Sequence, residues 1–274
     1  QRLFTCLWAL ILLTSACAQK STSHNKSAKE TEPVINPKNI IQPGAENFKA
    51  YLPLLSGKRV ALFANQTTVV NDNKHLVDEL RNIGVNIVKI FAPEHGFRGT
   101  ADAGEKVDNS IDKKTGIQVI SLYGKKRKPS EEDMKDVDIL LFDIQDIGVR
   151  FYTYISSLEE FMESAVQFNK PLVVLDRPNP NGFYIDGPVL EKPFRSFVGM
   201  QAVPIVYGMT IGEYAKMLAG ENWLSSEFPA NKLRLTVIPC INYTHSSRYI
   251  LPVKTSPNLP DMASIYWYPS TCLF

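Results

Sequence analysis

"VDILLFDIQD" (residues 137–146) decides the fold. An apolar run this continuous, closing on aspartate, glutamine and aspartate, fits a central strand of a parallel sheet, because a strand covered on both faces has no solvent side to demand alternation. Comparable runs flank it in the chain: "RVALFAN" (59–65), "VNIVKIFAPE" (85–94), "KPLVVLDRPNP" (170–180) and "KLRLTVIPC" (232–240). Helical patterns stand between them. "NKHLVDELRNIG" (73–84) sets Leu76, Leu80 and Ile83 at helical spacing and stops on Gly84. "SSLEEFMESAVQFN" (156–169) predicts a helix capped by Ser156 or Ser157, and "TIGEYAKMLAGENWL" (210–224) one capped by Thr210 and ending near Gly220. Strands alternating with helices predict an α/β fold, a Rossmann-like parallel sheet with helices on both faces and right-handed crossovers. The turn after the first strand, "NQTTVVNDN", has no glycine, so a dinucleotide finds no close backbone approach for its pyrophosphate.

The bulk composition narrows the function classes. In 274 residues, 44% are apolar and 21% charged, which is ordinary globular usage with ample material for a core. Thirty basic and 28 acidic side chains leave a charge of +2, and no nucleic-acid partner is expected. The one dense basic run, "GKKRKPS" (124–130), is read as a solvated loop. Four histidines and no CxxC give a zinc site little to stand on; neither metal nor organic cofactor is expected.

Residues 1–17 have the shape of an export signal: Arg2, an apolar run, then Thr14, Ser15 and Ala16 before Cys17, as at a lipoprotein processing site. Lipidation of Cys17 would be the protein's membrane contact and place it in the periplasm or at the cell surface; ordinary secretion and a retained anchor are the alternatives. Residues 18–39 are polar and aperiodic, a disordered tether. Residues 40–182 form the expected catalytic domain. Residues 183–274 are read as its remainder and the start of a smaller C-terminal α+β domain, truncated in a chain cut at both ends, with no helix in the closing "YWYPSTCLF". Cys240 and Cys272 could pair in an oxidising compartment or remain buried thiols.

In open parallel sheets ligands bind beyond the carboxyl ends of the strands, and here those ends are loaded with polar groups. The first strand delivers Asn65 and Gln66. "FAPEHGFRG" (91–99) delivers Glu94, His95 and Arg98; "FDIQD" delivers Asp143 and Asp146, followed by Arg150, Tyr152 and Tyr154; "DRPNPNG" delivers Asp176, Arg177, Asn179 and Asn181. Carboxylates, amides, arginines and tyrosines together suit a hydroxyl-rich substrate bearing a carboxylate, which arginine can grip in two parallel bonds. Glycoside cleavage needs a protonated acid and usually a second carboxylate. Glu94 is the candidate acid if Asp143, Asp146 or Asp176 lies near to raise its pKa; Asp143 is counted with it among the catalytic candidates, and His95 is a catalytic neighbour or an orienting hydrogen bond. Aspartates at strand ends also hold Mg²⁺ in phosphate-ester hydrolases, though no phosphate-cradling loop accompanies them here. A non-catalytic peptidoglycan- or sugar-binding lipoprotein would use the same cleft.

The stretches "LFANQTTVV" (62–70), "IFAPEHGFRG" (90–99), "LLFDIQDIGVRFYTYISSL" (140–158), "VVLDRPNPNG" (173–182) and "YWYPSTCLF" (266–274) resemble the bacterial exo-β-N-acetylmuramidases, long catalogued as a domain of unknown function. The segment 187–218 fills most of the space between, so the resemblance runs from about residue 58 to the last. It implies a Rossmann-like domain beside a smaller auxiliary one, an active site in the cleft, and release of terminal N-acetylmuramic acid from peptidoglycan fragments. It also implies that Glu94, in the "EHG" motif, is the catalytic residue. The family pattern continues beyond the position of Phe274, where a glutamate follows. Discrimination of muramic acid from glucosamine by its lactyl carboxylate is expected of Arg150 and Arg177 rather than Arg98, which would pin the loop carrying Glu94.

Overall fold

The computed structural model describes residues 40–99 and 108–273. The expected export signal, Cys17 and the tether lie outside them. Besides short 3₁₀ turns, the elements in chain order are α1 (Phe48–Leu55), β1 (Val60–Ala64), β2 (Val69–Val70), β3 (Lys74–His75), α2 (Leu76–Asn82), β4 (Ile87–Ala92), β5 (Ser110–Ile111), β6 (Gln118–Ser121), α3 (Glu131–Met134), β7 (Ile139–Asp143), α4 (Tyr154–Gln167), β8 (Leu172–Leu175), α5 (Ile211–Gly220), β9 (Leu235–Ile238) and α6 (Met262–Thr271).

The main sheet runs β5-β6-β4-β1-β7-β8-β9, with every pairing parallel except that of the edge strand β5 with β6. Chain order moves outward from β1 through β4 to β6, then returns to the other side through β7, β8 and β9. That is the doubly wound order, and its switch point lies between β1 and β7. β1 shows why both faces are covered. Val60, Leu62 and Ala64 join a core with Tyr51 and Leu55 of α1 and Leu76 and Leu80 of α2. Ala61 and Phe63 turn the other way, into a core with Phe161 of α4 and Tyr214 and Leu218 of α5. Phe161 is the hub there, with Phe63, Phe91 and Phe142 at ring-centroid distances of 5.1, 5.7 and 6.2 Å.

The five expected strands and three expected helices are present, with local corrections. Helix α2 starts later than its periodicity suggested, because Asn71, Asp72 and Asn73 take positive φ in the turn of a β2–β3 hairpin and His75 accepts from Val77 N at the helix start. Helix α4 starts at Tyr154, so Ser156 and Ser157 are buried inside it and cap nothing. Thr210 does cap α5, exchanging bonds with Glu213. The boundary expected at 182/183 marks a change of texture only: α5 packs on the same core and β9 extends the sheet beside β8. Cys240 and Cys272 are free thiols.

The last stretch is helical, contrary to expectation. Asp261 caps α6 by accepting from Ser264 N at 2.8 Å, and the helix runs through Pro269. A proline there removes the donor for the carbonyl four residues back. That carbonyl, on Ile265, faces the Asn181 amide at 3.5 Å.

Desolvation is the chief cause that pushes the buried carboxyls of Asp146 and Glu159 up to about 7 and that of Asp176 to about 6. Glu159, on α4, accepts from Gln201 Nε2 at 2.6 Å, with Glu163, Arg195 and Glu160 adding smaller opposing effects. Such groups bind protons more tightly in the native state than in the unfolded chain, where they titrate near roughly 4. Their stabilisation is therefore complete below about pH 4 and lost as pH rises through 6–7. The melting temperature should fall between pH 5 and 8, and Glu159→Gln should flatten part of that fall in scanning calorimetry. A variant with the unaltered slope would remove Glu159 from this account.

Candidate active site

Glu94 leaves the sheet because Pro93 ends β4. Gly96 N donates to Pro93 O at 3.1 Å, closing a tight turn whose third residue, His95, has φ 69°. Such a conformation is uncommon for a residue with a Cβ and costs energy, which structures tend to retain at functional sites. Gly99 has φ 68°, and a Cβ there would lie 2.8 Å from Gln66 Cβ, so the loop packs directly against the end of β1. Arg98 secures its far end, donating to Asp112 at 3.1 and 2.9 Å and to Asp78 at 3.4 Å.

The neighbouring strand supplies a partner. β6 pairs with β4 so that Ala92 faces Ser121, and Leu122 N donates to Ala92 O at 2.8 Å. Two residues beyond the strand, Tyr123 donates its hydroxyl to Glu94 Oε1 at 2.8 Å. Glu94 and His95 then line a cleft of about 220 Å³ with Phe151, Tyr152, Thr153 and Tyr154 from the β7–α4 connection, Ser256, Asn258 and Leu259, and Tyr268 of α6. Tyr152 is its aromatic centre, edge-on to Tyr154 at 4.9 Å and to Tyr268 at 5.8 Å. Burial raises all three phenols, Tyr268 to about 12, so they are neutral hydrogen-bonding groups. Glu94 and Asp146 both bear electrostatically on Tyr154 and Tyr268.

Most of the other strand-end groups face one another, a correction to the expectation that they converge on ligand. Asp143 is fully buried and holds Arg177 through two bonds, Nε to Oδ1 at 2.5 Å and Nη2 to Oδ2 at 2.7 Å, while Nη2 also donates to Val69 O. Both groups therefore staple β7, β8 and β2 together, and neither lines the cleft. Asp176 accepts from Gly212 N at 2.7 Å and Thr210 Oγ1 at 2.8 Å, anchoring the start of α5. Arg150 donates to the carbonyls of Pro188 and Val203. Asn65 bridges Thr67 and Tyr154, and Gln66 donates to Thr255 O. Asn179 donates to Met209 O, and Asn181 to Ile147 O. Asp146 accepts from Tyr207 and from Gly148 N at 2.7 Å, in a turn where Gly148 has φ 77° and a Cβ would strike Asn179 Oδ1. Of the fourteen expected site residues, Glu94, His95, Tyr152 and Tyr154 line the cleft.

Residues 60–263 match the family model described as "Exo-beta-N-acetylmuramidase NamZ, N-terminal". The chain belongs to this family. It is 38% identical to the peptidoglycan beta-N-acetylmuramidase NamZ of Bacillus subtilis (strain 168), over 99% of this chain and 64% of that relative's length. Two crystal structures of DUF1343 family proteins from Bacteroides fragilis NCTC 9343 share the fold, each with a TM-score of 0.77. At 50% and 39% identity, they cover 86% of this chain, which spans 62% and 60% of theirs.

Within this NamZ-family fold, several residues that line the cleft or bond to Glu94 beside it were not singled out from sequence. Tyr123 follows β6, a strand not expected at all, although the apolar run in "IQVISLYG" (117–124), ending in tyrosine and glycine, was a usable signal. Ser256 and Asn258 come from a loop with no pattern of its own. Among the described residues, no group of three or more His, Cys, Asp or Glu side chains is placed to hold a metal ion.

Proposed function

We propose that this chain carries the catalytic part of a glycosidase that releases terminal N-acetylmuramic acid from the non-reducing end of peptidoglycan fragments. The observation that carries the reading is the Glu94 carboxyl on the lip of a tyrosine-lined cleft, oriented by Tyr123 and mounted on a tight turn at the carboxyl end of β4. The activity named for the Bacillus subtilis relative supports it. Glu94 acts as general acid: its proton passes to the glycosidic oxygen as the bond from that oxygen to the anomeric carbon breaks, and water completes the hydrolysis. Tyr152, Tyr154 and Tyr268 pack on the sugar ring and exclude solvent. Asp146, buried and outside the cleft lining, bears electrostatically on Tyr154 and Tyr268 and so adds a second carboxyl to the field of the site.

Incubation with a chromogenic aryl glycoside of N-acetylmuramic acid tests this, and should give aryl release with little from the corresponding N-acetylglucosaminide. Because protonation and stabilisation come from side chains, a strong chelator should leave the rate unchanged. Loss of turnover on chelation, restored by Mg²⁺, would favour the phosphate-hydrolase type of site instead. Cleavage and lipidation at Cys17, which we propose from residues 1–17, would hold the enzyme at the membrane; Cys17→Ala should abolish fatty-acid labelling.

A further inference from the structure

A second cavity is larger than the tyrosine cleft. It measures about 900 Å³ and is lined by Asn109, Ser121, Tyr123, Lys125, Arg127 and Phe197, with Lys126, Asp108, Leu122 and Gly124. The basic run that composition assigned to a solvated loop forms one wall of it. Lys126 is neutralised by Asp133 at 2.6 Å. Lys125 and Arg127 have no carboxylate partner among the described residues. The Arg127 guanidinium lies over the Phe197 ring at 4.0 Å, a stacking that fixes its plane and leaves its edge for ligand. The Ser121 hydroxyl, on a residue 6% exposed, has no hydrogen-bond partner among the described residues. The chemistry of the wall is that of a carboxylate site with hydroxyl and aromatic contacts beside it.

Position gives the cavity its role. Tyr123 lines it and donates to Glu94, which in turn lines the smaller cleft, so the candidate acid stands between the two spaces. A cleft of about 220 Å³ is below the range of roughly 300–1,000 Å³ usual for ligand pockets and suits one terminal sugar, whereas about 900 Å³ accommodates an extended group. An acid must stand at the bond between the sugar it releases and the leaving group. Given the muramidase reading above, on which this rests, we propose that the larger cavity binds the leaving-group side of the substrate and takes its carboxylates, those of an acidic muramyl peptide, on Lys125 and Arg127.

The test compares wild type with the double variant Lys125→Gln/Arg127→Gln. Both side chains are exposed, and a melting scan checks that the variant folds. Two glycosides of N-acetylmuramic acid are used, one with a neutral aryl leaving group and one whose leaving group is an N-acetylglucosaminyl-muramyl dipeptide. The ratio of kcat/KM for the acidic over the neutral leaving group should fall roughly tenfold in the variant, through KM, and more steeply at low salt. Calorimetric titration of the leaving group itself should show the same loss of affinity. An unaltered ratio and affinity would overturn the proposal. An equal fall on both glycosides, leaving the ratio unchanged, would place the cations on the lactyl carboxylate of the terminal sugar and overturn it too. If wild type hydrolyses neither glycoside, the muramidase reading fails, and the titration decides the carboxylate site on its own.

Discussion

Glu94→Gln should lower kcat on ordinary muramyl glycosides by roughly 10²–10⁴-fold, the usual worth of a positioned proton transfer. Glutamine keeps the shape of the side chain and can still accept from Tyr123, so the turn and the cleft should persist and binding of free N-acetylmuramic acid should be close to wild type. A glycoside with a strongly acidic phenol as leaving group needs little protonation and should lose much less. That contrast between substrates separates loss of an acid from loss of a fold. Tyr123→Phe removes the hydroxyl on Glu94 Oε1 and should cost less than the loss of the carboxyl itself, again mainly in kcat. For His95 the informative change is to asparagine, because φ 69° strains alanine at that position. His95→Asn should resemble Tyr123→Phe if the imidazole orients its neighbour, and Glu94→Gln if the two act as a unit. Near-wild-type turnover by Glu94→Gln would move the acid away from β4 altogether.

Sequence made the sheet legible because its central strands are unbroken apolar runs, and a strand buried on both faces has few other ways to be written. Elements whose stability depends on distant partners were less legible. β6 has an exposed Gln118 and only four residues, and its strand identity comes from pairing with β4. A proline inside a helix costs a backbone bond, and nothing local to α6 announces that the Asn181 amide faces the freed Ile265 carbonyl. The site was legible to the same depth. Chain order and strand polarity gather the polar residues on one edge, but whether each faces ligand or another side chain is a tertiary matter. A local difference does separate the two principal carboxylates. Asp143 is the last residue of β7, still within the sheet and fully buried, whereas Pro93 breaks β4 before Glu94 and turns it out.

Asp143→Asn should therefore damage stability more than chemistry. The native carboxylate accepts two bonds from Arg177, whose side chain is 1% exposed, and among the described residues no other carboxylate bonds that guanidinium. Removing the charge leaves a buried cation uncompensated, at a cost of about 3–5 kcal/mol. A domain of this kind has about 5–15 kcal/mol in total, so the variant should melt on the order of 10 °C lower and carry an appreciable unfolded fraction when warmed. Replacing both members, as in Asp143→Leu/Arg177→Met, removes the cation as well and should recover much of the loss, since a buried pair adds little over apolar groups of similar volume. The bond from Arg177 to Val69 O disappears in that double variant, so recovery should be incomplete. Activity separates the structural role from the catalytic one. With rates expressed per folded molecule, below the melting transition, Asp143→Asn should turn over muramyl glycosides within a few-fold of wild type. A variant that melts normally yet loses activity on the scale expected of Glu94→Gln would put Asp143 back in the chemistry. Free Arg177 would then be the residue to test for the lactyl carboxylate.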